Sequence, residues 1–281
     1  MNYRHAYHAG NFADCMKHAL LARILLYLGQ KEAPYRVIDT HAGIGLYDLA
    51  GIEAGKTLEW QDGIARLAAP LAGEAEALLA PYRAALADVA ARFGAARYPG
   101  SPMLASLLMR RQDRAIFVEK HPADVHLLEE NLGRDRRLKV LELDGWTALK
   151  AMIPPVERRG VVLIDPPYEV EGELAHLGQA LVEARRKWSG GIFAGWYPIK
   201  DLAAPEELAD FLRAAGVPKI LRLEMLIDRA DDASRLNGSG LIVINPPWTL
   251  AHEAEILLPA LAERLARGDR VGFRCDWLAG E

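Results

Sequence analysis

The chain has 281 residues, of which 51% are hydrophobic and 26% are charged, and its formal net charge is -4. These values are typical of a soluble globular protein with one large domain, and they exclude a uniformly basic coat for nucleic acid. No apolar run approaches the roughly 20 residues of a membrane helix, and no signal peptide is evident. With only Cys15 and Cys275 as cysteines, we expect a reduced, cytoplasmic protein.

The first predicted elements are a helix and a strand that ends in a glycine-rich turn. Apolar residues recur every three or four positions over residues 12–29, which predicts a helix. Residues 36–39 contain β-branched side chains between a proline and the turn, which predicts a strand. From about residue 50 to 97 the chain is rich in Ala, Leu, Glu and Arg. We interpret this segment as a helical insertion within a single domain of residues 1–281.

Strands and helices then alternate to the end of the chain. The predicted strands are residues 115–119, 139–144, 161–165, 191–196, 220–225 and 241–245, with a short strand at 270–273. The predicted helices are residues 123–131, 171–187, 205–214 and 251–267. This alternation predicts an α/β fold with a mostly parallel, doubly wound sheet.

The connection between the two strands at 220–225 and 241–245 differs from the others. It is polar and has no helical period, so these two strands should be antiparallel neighbours. A seven-stranded, mostly parallel sheet that closes in an antiparallel hairpin is the layout of Rossmann-like class I methyltransferases. These enzymes use S-adenosylmethionine.

The most informative motif is Asp165-Pro166-Pro167-Tyr168, which follows an apolar strand. The carboxyl ends of strands are where doubly wound sheets bind ligands. The prolines make the loop stiff and remove two N–H donors. Asp165 and the Pro166 carbonyl could hold the two hydrogens of an adenine amino group while Tyr168 stacks on the base. The alternative is a proline-rich strand exit that packs on the core.

A near copy, Asn245-Pro246-Pro247-Trp248, follows another apolar strand. An Asn-Pro-Pro loop also serves in amino methyltransferases, so the letters alone do not choose between the two motifs. If its strand is antiparallel to the rest, this loop lies at the opposite edge of the sheet. We therefore predict a structural role for it.

Three further groups of polar residues or glycines stand at predicted strand ends. Residues 39–45 contain Gly43 in a turn that could approach a ligand closely. Glu119 could accept both hydroxyls of a ribose. Asp144 could accept from an adenine amino group, and Gly145 leaves room for a ring. Taken alone, the turn could equally be structural, whereas Glu119 would more often be a solvated strand cap and Asp144-Gly145 an ordinary strand-to-turn junction.

These motifs, taken with the opening segment of the chain, resemble the RlmJ family of 23S rRNA (adenine-N6)-methyltransferases. The resemblance covers essentially the whole chain. Its most specific part is the opening segment, residues 3–11, and it continues through Asp14, Lys17-His18, residues 39–45, residues 100–102, Asp144-Gly145 and the two proline motifs.

The resemblance implies both the cofactor and the target. The cofactor would be S-adenosylmethionine, and the target would be adenine 2030 of 23S rRNA. The residues implied to line the cofactor pocket are His18, His41, Ser101, Glu119, Asp144, Gly145 and Asp165. We add Gly43 to this set from its position in the turn.

The opening segment also carries rings and cationic tips that suit RNA. Tyr3 and His5 are predicted to bind substrate, because splayed RNA bases stack on aromatic rings. With the resemblance, Lys17, Pro166 and Tyr168 complete the predicted substrate site. Arginine clusters that could contact phosphate, or be solvated helix faces, lie at residues 110–111, 134–137 and 185–187.

The predicted function is N6-methylation of adenine in 23S rRNA by a monomer, without a metal and away from membranes. The target base would be flipped into the pocket, since its amine is not reachable within a helix. Asp165 would be the catalytic residue, orienting the amine and taking up its surplus proton. The alternatives are an amino methyltransferase acting on DNA adenine or protein glutamine, and a non-catalytic protein that binds an adenine nucleotide.

Overall fold

The computed structural model of the protein describes residues 5–280, and strands alternate with helices along this range. The strands are β1 (Arg36–Asp39), β2 (Leu46–Asp48), β3 (Arg97–Pro99), β4 (Arg114–Glu119), β5 (Leu138–Glu142), β6 (Gly160–Ile164), β7 (Ile192–Ile199), β8 (Ile220–Leu226), β9 (Gly238–Ile244) and β10 (Gly272–Ala279). The helices are α1 (Phe12–Gly29), α2 (Ile52–Thr57), α3 (Gly73–Phe93), α4 (Ser101–Leu108), α5 (Pro122–Leu132), α6 (Gly145–Met152), α7 (Glu173–Lys187), α8 (Ala203–Ala214) and α9 (Leu250–Arg264).

The main sheet has eight strands in the order β10-β8-β9-β7-β6-β1-β4-β5. Strands β7, β6, β1, β4 and β5 run parallel, whereas β9 is antiparallel to both β7 and β8. The prediction of an α/β fold with a mostly parallel sheet and an antiparallel end is confirmed. Strands β2 and β3 form a separate antiparallel pair.

The predicted strand number of seven is wrong by one, because β10 joins the sheet. The C-terminal segment forms an eight-residue strand along β8, longer than the short strand predicted at 270–273. Its polar positions are stabilised by ion pairs. Arg274 approaches Glu206, and Asp276 pairs with Arg222 of β8.

Helices cover both faces of the sheet and bury its central strands. Every residue of β6 is buried, as expected for a strand covered on both faces. One core unites side chains of α1, α3, α4 and α9, and a second core lies beneath α6, α7 and α8. Helix α1 is apolar nearly all round and is buried accordingly. None of the helices within residues 5–280 combines the length and apolar character needed to span a membrane.

The segment at residues 50–97 is mainly helical. It contains α2, two short 3-10 helices and α3, and α3 packs against α1 and α9. This helical content agrees with the composition of the segment. Its status as an insertion within one domain remains a prediction.

The two proline motifs lie at opposite edges of the sheet. Strands β1, β4 and β6 end at one of them, which we call the carboxyl edge, and Asp165 follows β6 there. Because β9 runs the other way, Asn245 follows it at the amino edge. The side-chain amide of Asn245 donates to the carbonyls of Ser189 (2.6 Å) and Gly191 (3.0 Å), just before β7. The predicted structural position of this motif is confirmed.

Candidate active site

A cavity of about 330 Å³ opens at the carboxyl edge. The loops that follow β1, β4, β5 and β6 form its wall, together with α1 and the start of α4. Ten residues of the predicted site line it: His5, Lys17, His18, His41, Gly43, Ser101, Glu119, Asp144, Gly145 and Asp165. Side chains distant in sequence therefore meet at this edge, as the strand order requires.

Two glycines let the backbone pack closely at the cavity wall. Gly43 has φ +60°, and a Cβ there would lie 2.3 Å from the Tyr47 hydroxyl. A Cβ on Gly145 would lie 2.3 Å from the Thr40 carbonyl oxygen and 2.8 Å from the His41 ring. Any larger side chain at either position would displace these neighbours and reduce the cavity.

Glu119 fastens the loop after β1 to the end of β4. Its Oε2 accepts from the backbone N–H of Gly43 at 2.9 Å. Its Oε1 accepts from the N–H groups of Lys120 (2.7 Å) and His121 (2.9 Å). A carboxylate has about four acceptor positions, so three bonds leave room for a ligand hydroxyl. Its predicted contact with a ribose stays a prediction.

Asp144 caps helix α6 at the cavity wall. Its Oδ1 accepts from the Thr147 N–H at 3.0 Å, and its Oδ2 lies 3.3 Å from the Lys120 ammonium. Burial by itself would raise the pKa of Asp144, but these partners lower it below the usual range. The carboxylate is therefore anchored at a helix N-terminus while one side faces the cavity.

Trp146 and His176 form a part of the wall that the sequence did not predict. Their rings stack with centroids 4.2 Å apart, and Trp146 also meets His41 edge to face at 5.3 Å. Trp146 directly follows the Asp144-Gly145 motif, so its position in the first turn of α6 was a usable signal. His176 lies within α7 and carried no such signal.

Buried polar side chains lie behind the loop after β1. The Ser101 hydroxyl donates to Asp39 Oδ2 at 2.6 Å. Burial raises the pKa of Asp39 to about 6, with a further contribution from the charge of Asp165. Burial also lowers the pKa of His41 to about 4, so this imidazole is neutral at physiological pH.

Lys17 joins two carboxylates beneath the Asp165 loop. Its ammonium is 2.5 Å from Asp165 Oδ2 and 2.8 Å from Asp14 Oδ1, and only 4% of its side chain is exposed. Burial alone would lower the pKa of Lys17, but the two carboxylates outweigh it and raise the pKa. Helix α1 is therefore tied to the loop after β6 by a buried ion pair.

Asp14, which was not among the predicted site residues, organises the start of the chain. Its Oδ2 accepts from the Gly10 N–H and lies 2.9 Å from His5 Nε2. Burial alone would raise the pKa of Asp14, but His5 and Lys17 hold it well below its usual range. The spacing of Asp14 and Lys17, one helical turn apart, was the signal that could have identified it.

Two predicted substrate residues do not line the cavity, and a third lies outside residues 5–280. Pro166 and Tyr168 are absent from the cavity wall, although Pro167 is part of it. Tyr168 adopts φ +55°, its hydroxyl donates to the Trp196 carbonyl, and its ring packs edge to face on Trp196. Tyr3 lies outside the described residues. The substrate roles of all three stay predictions.

Two of the arginines considered for phosphate contacts have structural partners instead. Arg110 donates to the carbonyls of Gly29 and Lys31 at the C-terminal end of α1, and Arg137 donates to those of Ser106 and Met109 at the C-terminal end of α4. Guanidinium groups commonly satisfy the free carbonyls at helix ends. In residues 5–280 no group of three or more His, Cys, Asp or Glu side chains is arranged to hold a metal ion.

Comparison with known proteins shows where the chain belongs. A family model described as "Ribosomal RNA large subunit methyltransferase D, RlmJ" matches residues 32–279. The chain is similar over its full length to two proteins named "Ribosomal RNA large subunit methyltransferase J". It is 37% identical to the one from Escherichia coli strain K12 and 36% identical to the one from Haemophilus influenzae, and both are covered completely.

A solved structure agrees with these matches. The crystal structure of a protein from Legionella pneumophila strain Philadelphia 1 is similar, with a TM-score of 0.82 and 31% identity. The match covers 96% of this chain and 98% of that protein. The predicted resemblance is thereby confirmed, and the chain belongs to the RlmJ family of ribosomal RNA large subunit methyltransferases.

Proposed function

We propose that the protein transfers a methyl group from S-adenosylmethionine to N6 of an adenine in 23S rRNA, at the position of adenine 2030. The family and the two full-length relatives support ribosomal RNA of the large subunit as the substrate. The single observation that carries the chemistry is Asp165, placed beside the cavity and held by Lys17.

The cavity suits S-adenosylmethionine in size and charge. Its volume of about 330 Å³ lies within the ~300–1,000 Å³ range of small-molecule sites. Among the described residues, six with carboxylates and two lysines line it, so this part of the wall is acidic overall. An acidic wall favours a ligand with positively charged groups. When bound, S-adenosylmethionine supplies an electrophilic methyl group on a sulfonium centre.

Asp165 has one oxygen available for the substrate. Lys17 occupies Oδ2, and within the described part of the chain no hydrogen bond to Oδ1 is found. Oδ1 can therefore accept one N–H of the adenine amino group and orient its nitrogen. The buried ammonium of Lys17 fixes the carboxylate in place, so that positioning provides most of the rate enhancement. The proton lost by the amine passes to Asp165, directly or through water.

His5 is placed to meet the flipped base. It lines the cavity, Asp14 holds its Nε2, and its ring meets Tyr47 edge to face at 5.2 Å. A nucleobase that leaves its stack gains contact with such rings, which offsets part of the cost of flipping. The same Asp14 carboxylate positions both His5 and Lys17, two residues predicted to bind substrate.

The test is transfer of labelled methyl groups from S-adenosylmethionine to unmodified 23S rRNA, followed by mapping of the modified base. We expect one N6-methyladenine at position 2030. Labelling of DNA or of a protein glutamine in place of the rRNA would show that one of these is the substrate. Cofactor binding without any transfer would indicate a non-catalytic binding protein.

We also propose an oligomeric state, a location and a domain organisation for the enzyme. It acts as a monomer in the cytoplasm, and residues 50–97 are a helical insertion in its single domain. Sedimentation of the purified protein would check the first point. A dimer that persists at nanomolar concentration would contradict it.

A further inference from the structure

His18 lies at the boundary between the cofactor cavity and the core. It lines the cavity, yet only 1% of the residue is exposed. Burial lowers its pKa to about 3, so the imidazole is neutral at physiological pH. A neutral imidazole has one nitrogen that donates and one that accepts. The direction of its hydrogen bonds therefore determines what it offers to a ligand.

A row of buried hydroxyls ends at His18. The Tyr98 hydroxyl lies 2.8 Å from His18 Nδ1, and the Tyr82 hydroxyl lies 2.8 Å from that of Tyr98. Tyr82 and Tyr98 are fully buried, and burial raises the pKa of both well above the usual range. Both hydroxyls thus keep their protons, and each must donate one hydrogen bond. Stacking of the Tyr98 ring on His18 fixes the orientation of the imidazole.

The contacts of Tyr82, at the end of the row away from His18, indicate which groups donate the hydrogen bonds and which accept them. The Tyr82 hydroxyl also interacts with the buried thiol of Cys15, and that thiol itself donates to the Gly10 carbonyl at 3.9 Å. If His18 donated to Tyr98, then Tyr98 would donate to Tyr82, leaving Tyr82 only sulfur, a weak acceptor. In the opposite direction, Tyr82 donates to the Tyr98 oxygen and Tyr98 donates to His18. Every hydroxyl hydrogen then has an oxygen or nitrogen acceptor.

We propose that Tyr98, oriented by Tyr82, holds His18 with its proton on Nε2, so that Nε2–H donates into the cavity to the carboxylate of the bound cofactor. Nδ1 is directed at Tyr98 in the core, and Nε2 lies on the other side of a ring that lines the cavity. This inference rests on the proposed function. Tyr82 belongs to α3 and Tyr98 to β3, so both are positioning residues outside the strand-end motifs.

The direction of the hydrogen bonds along the row can be determined in the absence of a ligand, from the tautomer of His18. Nitrogen-15 NMR of histidine-labelled protein distinguishes the two tautomers of His18. We expect a single Nε2–H form that does not titrate between pH 5 and 8. An Nδ1–H form would overturn the proposal, whatever the protein binds.

Ligand binding provides the second test, through variants that each remove one buried hydroxyl. Tyr98→Phe should weaken binding of S-adenosylhomocysteine about tenfold in calorimetry, because the donor that orients His18 is lost. Tyr82→Phe should weaken it by only about twofold, since the bond from Tyr98 to His18 remains. Tyr35→Phe is the control. Its hydroxyl is buried at the amino edge and has no hydrogen-bond partner among residues 5–280, so its removal should leave affinity unchanged.

The ligand itself supplies a further control. Methylthioadenosine has the same nucleoside but no carboxylate, so Tyr98→Phe should not change its affinity. An equal loss of affinity for both ligands, or no loss for either in a folded variant, would overturn the proposal. Failure of the wild-type protein to bind S-adenosylhomocysteine at all would instead contradict the proposed function, and the tautomer measurement would still test the row.

Discussion

Two loops of this protein have nearly the same letters and lie at opposite edges of one sheet. The loop Asp165–Tyr168 follows β6 at the carboxyl edge, where Asp165 pairs with the buried Lys17 beside the cavity. The loop Asn245–Trp248 follows β9 at the amino edge, where Asn245 donates to two backbone carbonyls. Strand direction, rather than the motif itself, decides which loop can reach a cofactor.

The backbones of the two loops also differ. In the first loop the left-handed residue is the last, Tyr168 at φ +55°, and in the second it is the first, Asn245 at φ +54°. Asn tolerates this conformation well, whereas a tyrosine there needs support from its surroundings. The bond from the Tyr168 hydroxyl to the Trp196 carbonyl provides it. Trp248, by contrast, is 79% exposed.

Removal of the polar residue should abolish catalysis in one loop and spare it in the other. Asp165→Ala should lower kcat at least about a thousandfold, because orientation of the amine and its proton acceptor are both lost. Asn245→Ala should retain kcat within about twofold, as its loop faces away from the cavity. Methylation of 23S rRNA by folded variants checks both. An active Asp165→Ala variant would contradict the assignment of the catalytic residue.

The contacts that anchor the two loops should also contribute differently to the free energy of unfolding. Lys17→Met leaves the buried carboxylate of Asp14 and the half-buried carboxylate of Asp165 without their cation, so it should cost about 3–5 kcal/mol of unfolding free energy. Asn245→Ala should cost less, about 2 kcal/mol, since it removes neutral hydrogen bonds and places Ala in a left-handed conformation. Urea denaturation compares the two variants. Equal losses would show that the buried ion pair is not the stronger anchor.

The stability of the folded protein should depend on pH because of two buried histidines at the carboxyl edge. The folded protein holds the pKa of His18 at about 3 and that of His41 at about 4, against 6.5 for ordinary histidines. As the pH falls below 6.5, the unfolded chain binds protons that the folded chain does not. Each histidine should therefore lower stability by up to about 1.4 kcal/mol per pH unit.

Asp39 acts in the opposite direction over part of this range. Its pKa of about 6 exceeds the ordinary 3.8, so between these values the folded state binds the proton first. Because two histidines lose stability as the pH falls and only one carboxyl gains it, the free energy of unfolding should still decrease on acidification. Urea midpoints from pH 7.5 to 4.5 measure this slope, and His41→Gln should make it shallower. An unchanged slope in His41→Gln would contradict the neutral state assigned to His41.

The smallest effects concern the aromatic residues that end the two loops. Tyr168→Phe should cost about 1 kcal/mol in stability, because it removes the bond to the Trp196 carbonyl. Trp248→Ala should change stability by less than about 0.5 kcal/mol and leave methylation unaffected. Thermal unfolding and the methylation assay measure both. A marked loss of methylation in Trp248→Ala would show that the amino edge takes part in substrate binding.

Much of the site could be predicted because it follows from strand ends. Glu119 and Asp165 each come at the end of an apolar run, Asp144 follows a strand in which apolar and charged residues alternate, and parallel strands bring such positions together. Asp14 and Tyr98 could not be found in this way. Tyr98 contacts His18 from a strand 80 residues away in sequence, and Asp14 contacts His5 of the segment before α1, so packing decides both contacts. The C-terminal strand was underestimated because Arg274 and Asp276 interrupt its apolar pattern until their ion pairs are known.

Helix α1 has a consequence for the synthesis of the chain. It is synthesised before the strands β6 and β9 on which it packs, and Lys17 lacks its second carboxylate until Asp165 has been synthesised, 148 residues later. His18 likewise waits for Tyr98, 80 residues later. A nascent α1 therefore carries a cation that water solvates better than an incomplete core would. Completion of the methyl-transfer site and burial of α1 are one event, which can occur only after Asp165 has left the ribosome.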